Sequence, residues 1–158
     1  MKLDAYTRGV DLKAVAEAPL VEEYCSLRVA AGLSAMDPAA AAAALPRSLF
    51  AVTIRSEQEL VAMGRVVGDG MHVQVVDIAV RPDFQGQGLS RQILEEIMSF
   101  IAALPRSTIV SLFADVDWLY DKFGFVQPQH TTGMTLKNWP PSAESAGALP
   151  QPQPGAVG

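Results

Sequence analysis

The stretch HVQVVDIAVRPDFQGQGLSRQILEEIMSFIA, beginning at residue 72, constrains this chain more than any other. It opens on a mostly apolar run, residues 72–80, in which the adjacent Val75 and Val76 put apolar groups on both faces, as in a central, largely buried strand. It ends in an amphipathic helix from about Gly88 to Leu104. There Leu89, Ile93, Ile97, Phe100 and Leu104 form one stripe, while Arg91, Glu95, Glu96 and Ser99 face away. A buried strand turning directly into a helix implies a sheet with helices packed against it. The connection carries Gly86 and Gly88, with Gln85 and Gln87 interleaved. A helix's first-turn N–H groups have no intrahelical acceptor, and the dipole places partial positive charge there. Glycines let an anion approach that backbone with no Cβ in the way, so the junction suits a pyrophosphate, with Gln85 and Gln87 as uncharged extra donors.

Two familiar phosphate motifs do not fit. The third glycine of a G-x-G-x-x-G pattern falls on Arg91, and no Gly-Lys-Ser/Thr follows. A plain turn before a helix is the alternative for the glycines alone.

The rest of the chain fills in the architecture. Residues 3–8 read as a short edge strand. In APLVEEYCSLRVAAG, Leu20, Tyr24, Leu27 and Ala31 fall at helical spacing, with Pro19 in the first turn and Gly32 as the stop. Asp37-Pro38 followed by alanines predicts a capped second helix ending at Pro46. Residues 49–54 and 60–67 predict a hairpin around Ser56-Glu57-Gln58. After the long helix come a strand at 107–114, a short helix in DVDWLYDKFGF with Asp117 as its N-cap, and a last strand in TTGMTLKNW, residues 131–139. The order is β-α-α-β-β-β-α-β-α-β. From Pro140 the composition turns rich in Pro, Gly and Ala, as in a tail. The expected division is a domain over 1–138 and a tail over 139–158.

Composition excludes several classes. A net charge of −5 with no cluster of Lys and Arg argues against a nucleic-acid partner. The lone Cys25 forms no internal disulfide and reads as a small, buried hydrophobe, which favours a reducing compartment. No signal-like run stands at the N-terminus and no stretch approaches the roughly 20 apolar residues of a membrane helix, so a soluble cytoplasmic protein is expected. His72 and His130 are isolated, so no metal site is expected.

A second signal, WLYDKFGF, stands about thirty residues beyond the glycines. Together, Gln85-Gly86-Gln87-Gly88-Leu89-Ser90 and Tyr120-Asp121-Lys122-Phe123-Gly124-Phe125 resemble the two motifs of the GNAT superfamily of N-acetyltransferases, with Ser90 where Gly or Ala is usual. The resemblance covers residues 49–136 and is weak over the first 45. It implies an α/β (α+β) fold: a mixed, mostly antiparallel sheet splayed at its centre between strands 72–80 and 107–114, flanked by helices. It implies acetyl-coenzyme A as cosubstrate in that gap. The pantetheine arm would run along Ile78, Ala79 and Val80, and the pyrophosphate would lie on Gln85, Gly86, Gln87, Gly88, Leu89 and Ser90. The family often has an Asn near the pantetheine; none is seen here. A homodimer is common in that family.

The implied reaction is direct attack of a small-molecule primary amine on the thioester. Tyr120 is the candidate acid for the leaving thiolate; packing of a half-buried aromatic is the other reading. Asp77, the one ionisable residue in the run Val73–Val80, is either a base or amine-binding group or a structural ion pair with Arg65. Arg65 could bind an anionic part of the acceptor or form a solvated pair, and Trp118 could wall the acceptor pocket or pack in the core. VVDIAVRPDFQGQGLS is locally similar to glucosamine-6-phosphate N-acetyltransferase, so an amino-sugar-phosphate acceptor is one alternative. A non-catalytic acyl-coenzyme A-binding sensor of the same fold is the other.

Overall fold

The computed structural model describes residues 12–136. The chain divides into two compact units between Val126 and Gln127. Every described element lies in the first: β1 (Ala14–Val15), α1 (Val21–Ala30), α2 (Pro38–Ala44), β2 (Phe50–Ser56), β3 (Glu59–Gly68), β4 (His72–Val80), α3 (Leu89–Ala102), β5 (Ile109–Leu112) and α4 (Asp117–Asp121), with single 3₁₀ turns at Leu45–Arg47 and Pro82–Phe84. The strands form one five-stranded sheet in chain order. Its first three pairings are antiparallel and β4–β5 is parallel, so the expected mixed, mostly antiparallel sheet with flanking helices is found.

Local chemistry explains most of the boundaries. Asp37 caps α2 by accepting from the Ala40 N–H at 2.9 Å. Gly32, at φ 84°, ends α1, and the Leu33 N–H returns to the Arg28 carbonyl at 2.8 Å. Two expectations shift. Val116, in extended conformation, is the cap residue of α4, and Asp117 is its first helical residue; an acidic residue suits either place at the positive end of a helix. Residues 131–136 form no strand; Gly133 weakens that run as a strand. Residues 137–139, the strand expected at 3–8 and the tail over 139–158 lie outside the described residues.

Each face of the sheet has its own core. On one, Ile93, Leu94 and Ile97 of α3 pack with Val52, Ile54 and Val66. On the other, Tyr24 and Leu27 of α1 and Ala41 of α2 pack with Leu60, Met63 and Ala79. Burying apolar surface on both faces makes β3 and β4 the centre of the molecule.

A β-bulge in β4 decides which face of the sheet receives Asp77. Met63 pairs with Ala79, but Arg65 pairs with Val76, so Gly64 alone faces both Asp77 and Ile78. Asp77 takes φ 58°, in the left-handed region that Asp tolerates better than most residues. Val73 and Val75 belong to the α3 core, and strict alternation would send Asp77 there too. The extra residue reverses the parity: Asp77 turns to the α1 face, and Ile78 and Val80 pack toward α3. Gly64 is required opposite the bulge. A Cβ there would lie 2.5 Å from Ile93 Cγ2 and 2.7 Å from Ile78 Cδ1.

Candidate active site

β4 and β5 pair only over His72–Val75 and Ile109–Leu112. Beyond Val75 the strands part, and β4 has no strand partner on its β5 side among the described residues. A cleft of about 420 Å³ opens there, lined along one wall by Gln74–Val80 and Arg28 and along the other by Phe113, Asp115, Val116, Leu119 and Tyr120. It runs into a second cleft of about 410 Å³, lined by Gly86, Gly88, Arg91, Trp118, Lys122 and Phe123 among others; Val80, Gln85, Ser90 and Leu119 border both. The splay that the resemblance implies is therefore a continuous groove from the middle of the sheet to the start of α3.

The glycine junction forms the bend of that groove. Gly86 and Gly88 stand at φ 76° and 79°, and a Cβ on either would meet nothing within 4 Å. The backbone turns left-handed with open space in front of it. Hydrogen bonding resumes at Gln92, whose N–H donates to the Gly88 carbonyl at 3.1 Å. The N–H groups of residues 86–91 have no acceptor among the described residues. Leu89 buries its side chain in the α3 core at 2% exposure, so only its backbone faces the groove. Gln85 is anchored by donating from its amide to the Val80 carbonyl at 3.2 Å. The junction is an array of oriented donors at a helix N-terminus, with Arg91 and Lys122 beside it. Its donor set fits a pyrophosphate.

Tyr120, on α4, faces the inner cleft with its ring edge-on to Phe125, the centroids 6.3 Å apart. Its hydroxyl has no partner among the described residues. Burial, and then the nearby Asp115 carboxylate, push its pKa above the ordinary phenol value. Trp118, two residues earlier and therefore on a different side of α4, is 63% exposed and lines the outer cleft, with Lys122 Nζ 5.3 Å from its ring centre. It does not pack in the core and does not join Tyr120 in the inner cleft.

Asp77 sits in a nearly closed network. Its Oδ1 accepts from Arg28 Nη1; its Oδ2 accepts from the Tyr24 hydroxyl at 2.8 Å and from Arg65 Nε at 2.7 Å. Arg65 also donates to Ser48 Oγ, and Arg28 holds the Ser34 carbonyl and hydroxyl. Both guanidiniums lie against the Tyr24 ring, 5.7 and 5.3 Å from its centre, and both arginines are 8% exposed. Of the two readings that the sequence leaves open for Asp77, the contacts match the ion pair, with a second arginine added. Arg65 is a buried pair rather than a solvated one, and it does not line the groove. Arg28 belongs to no motif, although the sequence holds a signal for it: a charged residue one turn after Tyr24 on the face that buries Leu27.

Among the described residues, no helix is long and apolar enough to cross a membrane, and no group of His, Cys, Asp and Glu is arranged to hold a metal ion.

A family model described as an acetyltransferase (GNAT) domain matches residues 46–127, just over half of the chain. Among solved structures, a probable acetyltransferase of unknown function from meticillin-resistant Staphylococcus aureus is 43% identical, covering 80% of this chain and 98% of that one, with a TM-score of 0.75. A GNAT-family acetyltransferase from Streptococcus pneumoniae has a TM-score of 0.65 over 80% of this chain and 98% of that one; at 24% identity it speaks to the fold alone. An uncharacterized N-acetyltransferase, ycf52, from Porphyra purpurea is 34% identical over 83 residues, 50% of this chain and 47% of that protein. This chain thus aligns with about half the length of the curated relatives that it matches. The splayed sheet, the donor array at the start of α3 and these matches converge: the chain belongs to the GNAT acetyltransferase family, whose members in general use acetyl-coenzyme A.

Proposed function

We propose that the chain transfers an acetyl group from acetyl-coenzyme A to a primary amine of a small molecule. The observation that carries this reading is a single groove with two chemistries. Unmatched N–H donors of residues 86–91 lie at its bend, and the Tyr120 phenol lies in its inner half.

Acetyl-coenzyme A, when bound, supplies the thioester carbonyl that the amine attacks. Residues 86–91 would hold its pyrophosphate through backbone N–H groups, aided by Arg91 and Lys122. The unpaired edge of β4 at Ile78, Ala79 and Val80 would accept the pantetheine as an added strand. Backbone N–H groups on that edge would steady the negative charge on the carbonyl oxygen. As the C–N bond forms and the C–S bond breaks, Tyr120 gives its phenolic proton to the sulfur. It regains one from the acylated nitrogen through solvent. The raised pKa of Tyr120 keeps that proton in place at neutral pH. Asp77 acts as a positioning residue: it fixes Arg28 and Arg65 beneath the groove.

The experiment is release of free thiol from acetyl-coenzyme A against a panel of primary amines, with acetylated product identified by mass. Thiol release that requires both substrates is the expected result. Tight acetyl-coenzyme A binding with no amine acetylated would contradict the proposal and favour the sensor reading.

A further inference from the structure

The charges beneath the inner cleft do not balance. Arg28 and Arg65 carry two positive charges, and Asp77 is the one described carboxylate within ion-pairing distance of either. Both arginines are almost fully buried. A surplus positive charge removed from water is costly unless an anion meets it. Arg65 commits its donors to Asp77 and Ser48 and lies outside the groove wall. Arg28 does line the groove. Four of its five N–H groups are used, on Asp77, Tyr24 and Ser34; the fifth, on Nη2, has no partner among the described residues.

The opposite wall carries the other sign. Asp115 follows the point where β5 leaves β4, is exposed, and forms no ion pair with another described residue. It lies near enough to Tyr120 to raise that phenol's pKa. Among the described residues, the charged groups of the inner cleft are therefore Arg28 with its partner Asp77 on one side and Asp115 beside Tyr120 on the other.

Resting on the acetyltransferase reading, we infer that the acceptor is an amine that also carries an acidic group, a carboxylate or a phosphate, bound with its anion toward Arg28 and its ammonium toward Asp115; the ammonium gives up one proton to solvent before its nitrogen attacks. A neutral amine would leave the Arg28 charge uncompensated, and a diamine would be repelled by it.

Matched pairs of amines test this directly: L-alanine against L-alaninamide, 4-aminobutyrate against butylamine, O-phosphoethanolamine against ethanolamine, and glucosamine 6-phosphate against glucosamine. The first two pairs probe a carboxylate and the last two a phosphate. In at least one pair the acidic member should be acetylated with kcat/KM at least about tenfold above its neutral partner, the discrimination expected of a charged hydrogen bond. Arg28→Gln should collapse that ratio toward one. Arg28→Lys, which keeps the charge and is the safer variant for folding, should retain part of it. A ratio is insensitive to a loss of folded protein, so a merely structural Arg28 would leave it unmoved. Neutral amines acetylated as well as acidic ones, a panel in which no acidic amine reacts, or a ratio unchanged in both Arg28 variants would overturn the inference. If neutral amines alone react, the acetyltransferase reading stands without it. If acetyl-coenzyme A neither binds nor turns over with any amine, both fall.

Discussion

Two regions joined by one strand handle polar groups in opposite ways. At the bulge of β4, Asp77, Arg28, Arg65 and Tyr24 are buried together, and nearly every donor and acceptor is matched. At the end of the same strand, the N–H groups of residues 86–91 are left without acceptors and no side chain covers the glycines. Both regions are polar, and both include residues of β4 or of the segment that follows it. The difference lies in satisfaction. A matched buried network specifies where elements sit, because breaking it is expensive. An unmatched donor array in open space waits for something from outside. Asp77, for which the sequence leaves a catalytic or amine-binding role and an ion pair both open, belongs by its contacts to the first kind.

The largest expected effect tests that division at Asp77. Asp77→Asn keeps the shape and a residue that tolerates φ 58°, but it leaves two buried guanidiniums facing a neutral amide. Removing one partner of a buried pair costs about 3–5 kcal/mol, a large share of a domain's total stability. Chemical denaturation should show that loss, and the remaining folded protein should bind acetyl-coenzyme A as the wild type does. A variant of unchanged stability with a collapsed rate would move Asp77 back into the chemistry.

Tyr120→Phe comes next and should reverse the pattern. It deletes one hydroxyl with no partner among the described residues, so stability and acetyl-coenzyme A affinity should barely change. General acid help is worth about 10²–10⁴-fold, and a thiolate is a fair leaving group, so kcat should fall by about 10²-fold or somewhat less. Wild-type kcat in the Phe variant would reduce Tyr120 to a packing residue.

The smallest effect is a pH dependence of the matched network. Burial first, and then its hydrogen bond to Asp77, raise the pKa of Tyr24 above the ordinary value of about 10. The stabilisation linked to its protonated form is full below that value and is lost as pH rises through the higher folded value. Tyr24→Phe lacks the hydrogen bond donated to Asp77 and the longer one accepted from Arg28, and should be about 1–3 kcal/mol less stable at neutral pH. That gap should narrow above pH about 10. A gap that is constant or widening would mean that the tyrosine is not held in its protonated form.

Much of this is legible in the sequence because it is written in local patterns. The β2–β3 hairpin, the buried β4, the α3 stripe and the Asp37 cap each depend on spacing within a short window. The glycine junction and Tyr120 are readable as motifs. The bulge is not. A bulge is a mismatch between two strands, and Gly64 on β3 is half of it, so no pattern within β4 alone reveals that Asp77 changes face. Arg28 is hidden for the same reason: its partner is 49 residues away in sequence. Trp118 goes to the outer cleft because α4 has only five residues, too short a span for periodicity to fix which face is buried.

The central claim is that residues 86–91 form a ligand site, and calorimetric titration of acetyl-coenzyme A into wild type and Gly88→Val tests it most directly. A valine at φ 79° adds local strain of about 1–2 kcal/mol and puts a branched side chain into the open space that the proposal assigns to phosphate, while its Cβ meets no neighbouring atom. The account predicts saturable one-to-one binding to the wild type and a folded variant with binding reduced at least about a hundredfold, as expected when several charge-assisted hydrogen bonds are lost together. Equal affinity in wild type and variant would contradict it.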